Sequence, residues 1–146
     1  MTTFGPQLIG ETEKSLNAIL RGVLAETGLT EPQWVTLRIA GQHEGDVPLT
    51  TAVADRAHFT DAPALVAQLG ERGLLDGDHI SDAGRRLLAR LGAQINELTA
   101  PIWTDLPGED VAAAERALNL VTGRARTILA SRAARLGSPD GSPTRR

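Results

Sequence analysis

Residues 50–80 read TTAVADRAHFTDAPALVAQLGERGLLDGDHI, and the fold turns on how this stretch divides. Thr50 is placed to cap a short helix, TAVADRAH, and Thr60 to cap a second, DAPALVAQLGER, with Pro63 tolerable in its first turn. Two short helices separated by three or four residues form a helix-turn-helix. Behind them, GLLDGDHI sets an Asp-Gly pair between short apolar pieces, the strongest short-range hairpin signal. The spacing therefore predicts a helix-turn-helix followed by a very small β-ribbon within residues 30–81.

Upstream, Leu16, Ile19, Leu20, Val23 and Leu24 recur on one helical face, predicting a helix over about 7 to 27 that stops at Gly28. The next residues, LTEPQW, carry a full start signal. Thr30 is the N-cap, Gln33 occupies the capping-box position, and Leu29 can staple onto Trp34. Downstream, Ser81 caps a helix whose Leu88, Leu91, Ile95, Leu98 and Ile102 alternate spacings of three and four, a coiled-coil-like seam. Pro101 is expected to bend or end it. A last helix, about 109 to 135, repeats the spacing with Ala114, Leu118, Val121, Ala125 and Ile128. Helices 8–27 and 82–135 are expected to dimerise, and residues 137–146 to form a disordered tail. One protomer, residues 1–136, is expected to be mainly α, with long terminal dimerisation helices around the winged unit.

Composition agrees. The 146 residues include no cysteine, which removes disulfides, thiolate metal sites and cysteine nucleophiles. Aromatics are 3% of the chain, and the wealth of alanine and leucine favours helix over strand. No apolar run reaches membrane-spanning length, and the opening MTTFGPQLIG lacks the parts of a signal peptide, so a cytoplasmic protein with no membrane partner is expected. No phosphate-binding glycine loop, His-Glu-x-x-His or Gly-x-Ser-x-Gly occurs, so no catalytic residue or cofactor is expected and the chain is read as a non-enzyme. His43, His58 and His79 have no shared-face spacing, and no metal site is expected.

The segments GLTEPQWVTLRIA, LVAQLGERGLL and ISDAGRRLLARL, in this order, resemble the MarR (multiple antibiotic resistance regulator) family of winged helix-turn-helix transcriptional regulators over about 8 to 135. The resemblance implies a homodimer that binds double-stranded DNA at a pseudo-palindromic operator. It also implies control by a small phenolic or aromatic ligand in a cleft between the dimerisation helices and the winged helix. Carried onto this sequence, the recognition helix falls on Thr60 to Arg72. The DNA-facing set is Thr60, Asp61, Ala64 and Gln68, joined by Thr50 and Thr51 at the preceding helix and by His79 in the wing, which can touch phosphate when protonated. Leu16, Leu20, Trp34 and Arg38 are the ligand-binding candidates, with Arg38 one turn beyond Trp34 as a carboxylate or phenolate partner. The plainer reading makes Trp34 a staple and core residue and Arg38 a solvated one.

The reading unit departs from the family pattern. Between Glu44 and Asp82 eight acids face only Arg56 and Arg72, a formal charge of −6, and the wing lacks its usual arginines. Phosphate neutralisation by Lys and Arg dominates DNA affinity. The alternative is therefore a winged-helix dimer that has lost DNA reading and serves as a small-molecule-binding or protein-interaction module. Arg85, Arg86 and Arg90, opening the fifth helix, can touch DNA flanks or stay solvated.

Overall fold

The computed structural model describes residues 1–137, so the expected tail lies outside them apart from Gly137. The described chain holds six helices and one two-stranded sheet: α1 (Pro6–Leu24), α2 (Glu31–Gln42), α3 (Leu49–Ala57), α4 (Ala62–Glu71), β1 (Leu75–Asp76), β2 (His79–Ile80), α5 (Asp82–Trp103) and α6 (Gly108–Gly137). It forms two compact units, Met1–Pro101 and the segment from Ile102 onward.

In the first unit, α2 is the centre. Its cap closes as the sequence predicts: Thr30 Oγ1 accepts from the Gln33 amide and the Gln33 side chain accepts from the Thr30 amide. Leu29 and Trp34, the two ends of the expected staple, are both buried in the core. Trp34, Leu37, Leu49, Val53, Leu69 and Leu91 draw α2, α3, α4 and α5 around one apolar cluster. Thr36 is fully buried, and its hydroxyl donates to the Pro32 carbonyl at 2.8 Å, which removes the cost of an unpaired buried donor. Helix α1 ends three residues before the expected limit, because Thr27 Oγ1 donates back to the Leu24 carbonyl and accepts from the Leu29 amide.

Two expected caps are corrected. Helix α3 begins at Leu49 with Pro48 as N-cap and no side-chain capping bond, which places Thr50 inside the first turn. Burying Leu49 completely requires that earlier start. Helix α4 has Asp61, not Thr60, at the N-cap, again without a side-chain bond, because Ala62 and Leu65 set the helical phase by turning inward. The helix expected to be the recognition helix is thus Ala62–Glu71, shorter at both ends than expected.

The end of α4 closes as a Schellman motif: the Leu74 amide donates to the Leu69 carbonyl and the Gly73 amide to that of Gly70, with Gly73 left-handed at φ 73°. The chain leaves directly into the hairpin, where Leu75 pairs with Ile80 on the buried face and Asp76 with His79 on the exposed face. The two-residue loop is Gly77-Asp78, with positive φ at Gly77 only, as in a type II′ turn. Asp76 of the Asp-Gly signal lies in the strand. Ser81 then joins wing to helix: its hydroxyl donates to the Gly73 carbonyl and accepts from the Gly84 amide, capping α5. Pro101 does not stop α5, which ends two residues later at Trp103.

In the second unit, α6 buries none of its described residues. Leu118, Leu120, Val121, Ile128 and Leu129 are each 41–61% exposed.

Candidate nucleic-acid interface

Helices α3 and α4 pack on each other and on α2, so the fold presents α4 as the outer helix of a helix-turn-helix. Ala62, Leu65 and Leu69 fill its inner face. Asp61, Pro63, Ala64, Ala67, Gln68 and Glu71 are left exposed. Of the residues expected to face DNA, Asp61, Ala64 and Gln68 share this face, and Thr60 is exposed just before it. Thr51 is exposed and Thr50 half-buried at the start of α3, while His79 is exposed on the hairpin. Of the seven residues expected to face DNA, all but the half-buried Thr50 are exposed.

The charge on that surface is negative. Glu44, Asp46, Asp55, Asp61, Glu71, Asp76, Asp78 and Asp82 are all exposed. The two arginines of the segment are already engaged: Arg56 donates to Gln42 Oε1 at 2.9 Å, and Arg72 to the Thr27 carbonyl at 2.8 Å. The role of Arg72, tying the end of α4 to the loop before α2, carries no local sequence signal, since its acceptor is a backbone carbonyl 45 positions away. Sequence reasoning also missed a link between α2 and α4, in which Gln33 Nε2 donates to Gln68 Oε1 at 3.0 Å. Arg85, Arg86 and Arg90 are exposed on the first turns of α5, and their guanidinium groups have no hydrogen-bond or ion-pair partner among the described residues.

The ligand-binding candidates separate. Trp34 is 4% exposed within the core, and Leu16 and Leu20 are half-buried on α1. Arg38 is exposed on α2. A cavity of about 520 Å³ lies elsewhere, between α1 and α5, lined by Gly22, Val23, Glu26, Gln94, Glu97 and Leu98. None of the four candidates lines it. Among the described residues, no group of three or more His, Asp or Glu side chains is placed to hold a metal ion. No described helix is long and apolar enough to cross a membrane.

This arrangement recurs in solved structures. CouR from Rhodococcus jostii, in a complex with p-coumaroyl-CoA, superimposes with a TM-score of 0.68 over 78% of this chain and 88% of its own, at 20% identity. The chain has the MarR-type winged-helix fold. Ligand-free NadR aligns with a TM-score of 0.65 over 76% of this chain and 89% of its own, at 19% identity. A MarR family protein from Mycobacterium tuberculosis gives 0.57 over 83% and 97%, at 21% identity. No protein-family model and no curated protein matches the chain. The MarR-type fold thus rests on shape, and the hairpin and helix order described above are what carry it.

Proposed function

We propose that the protein is a homodimeric, ligand-responsive DNA-binding transcriptional regulator of the MarR type, as the sequence resemblance implies. The observation that carries the reading is the exposed outer face of α4 in a helix-turn-helix closed by a hairpin wing. In a two-fold dimer, two such helices enter successive major grooves, and the operator is a pseudo-palindrome. The uncovered apolar side chains of α6 supply the reason to dimerise, since helices take most of their stability from packing an apolar face. A small phenolic or aromatic ligand acts by binding one arrangement of the dimer more tightly than the other, and the structure of CouR bound to p-coumaroyl-CoA, which carries a phenolic group, supports ligand control.

The test is retention of genomic DNA fragments by the purified protein at low salt, repeated as salt is raised. Selective retention of a pseudo-palindrome, weakening linearly in log salt, is expected. Absence of binding even at low salt would overturn the reading. The second reading, a winged-helix dimer that binds a small molecule or protein in place of DNA, is favoured by the eight exposed acids and the two engaged arginines. It predicts no DNA retention with the dimer intact.

A further inference from the structure

The cavity between α1 and α5 lies wholly within the first unit and shares no residue with the reading head. Its volume of about 520 Å³ falls in the range of small-molecule pockets, about 300 to 1,000 Å³. Val23, half-buried, and Leu98, exposed, give it an apolar wall. Glu26, Gln94 and Glu97 give it a polar one, and no Lys, Arg or His lines it. Gln94, Glu97 and Leu98 stand at i, i+3 and i+4, so they share one face of α5.

Neither carboxylate is engaged by the fold: Glu26 and Glu97 have no side-chain hydrogen bond or ion pair among the described residues. Glu26 also stands just beyond the C-terminal end of α1, where the free carbonyls repel a negative charge and attract a positive one. Two unpaired carboxylates and a helix C-terminus thus border a space that has an apolar wall. A phenolate or carboxylate is repelled there, whereas an ammonium ion on an apolar body satisfies both walls. We propose that this cavity binds organic ammonium ions, at a site separate from Trp34 and Arg38 and opposite to that pair in charge preference. The site does not depend on DNA reading.

The test is calorimetric titration of the full-length protein at low salt with phenethylammonium and hexylammonium. Each is paired with the carboxylate of the same apolar body, 3-phenylpropanoate and heptanoate. At least one ammonium ion should saturate one site per chain and bind about tenfold or more tightly than its carboxylate. Glu26→Gln and Glu97→Gln should each weaken that binding about threefold, the scale of a solvent-exposed charge pair. Gly22→Leu should weaken it at least about tenfold while the protein stays folded. A Cβ at Gly22 meets nothing within 4 Å, and leucine suits a helix better than glycine, so the new side chain takes up space at the cavity wall without strain. The proposal is overturned if neither ammonium ion binds saturably or if the carboxylates bind as well. It is equally overturned if both glutamine variants, or a folded Gly22→Leu, keep the wild-type affinity. No DNA is present in the titration, so each of these outcomes leaves the DNA-reading function standing.

Discussion

Gly84 shows how one atom can decide a junction. A Cβ built there runs into the Leu74 carbonyl oxygen and lies 2.8 Å from Ile80 Cγ1, so α5 approaches the hairpin only because this residue has no side chain. Gly84→Ala is expected to lose about 2 kcal/mol or more, measured by urea unfolding, since backbone cannot move aside cheaply. Gly41→Ala should cost clearly less, although its Cβ would meet Leu88 Cδ2 at 2.5 Å, because that atom is the end of a flexible side chain. Equal losses would mean that the Leu74 carbonyl yields as easily as a leucine tip. Thr30→Ala, which removes the hydroxyl acceptor at the α2 cap, should cost about 1 kcal/mol by the same measurement.

At the scale of the element, Ser81 joins two structures through one hydroxyl, receiving from the Gly84 amide and donating to the Gly73 carbonyl. Ser81→Ala is expected to destabilise by about 1–2 kcal/mol and to speed amide exchange in the first turn of α5 and at Gly73 together. Exchange confined to α5 would show that the wing does not depend on it. The elements whose signals are local were legible in the sequence. The α2 capping box, the hairpin and the Ser81 cap each depend on residues within a few positions of one another. The starts of α3 and α4 were not, because burial of Leu49 and of Ala62 and Leu65 outweighed the attraction of Thr50 and Thr60 as caps. Of the two outcomes expected at Pro101, a bend or an end, α5 does not end there, for a related reason. The proline's missing amide hydrogen bond falls in the last turn of α5, where few helical bonds remain to be broken. Within the candidate interface, the identity of the α4 face was legible, since its inner residues recur at helical spacing. The engagement of Arg56, Arg72 and Gln68 was not, since each partner comes from a distant part of the chain.

Over the whole molecule, charge is distributed against the expected function. The segment 44–82 carries −6, while residues 116–137 hold Arg116, Arg124, Arg126, Arg132 and Arg135 and no acid. If α4 reads DNA, arginines without a hydrogen-bond partner must come from outside the acidic segment, and Arg85, Arg86 and Arg90 are the exposed ones that immediately follow it. Replacing all three by alanine should weaken binding to every sequence alike and make the slope of log affinity against log salt less negative, by about 0.9 for each phosphate no longer neutralised. An unchanged slope would assign phosphate binding to helix N-termini and hydroxyls instead. A Leu118→Glu, Ile128→Glu double variant should be monomeric by light scattering where the wild type is expected to be dimeric, because it puts charge on two of the apolar side chains that α6 leaves uncovered. A dimer that survives both changes would place the interface elsewhere.

Under the proposed regulatory role, the bare apolar side chains of α6 also bear on how much assembled protein a cell contains. If their cover comes from a second copy, the assembled form grows with the square of subunit concentration while subunits are scarce. Halving expression would then remove about three-quarters of the assembled protein in that regime. A promoter under its control would respond to gene dosage as a threshold, with the steepness built into a single helix and no ligand required.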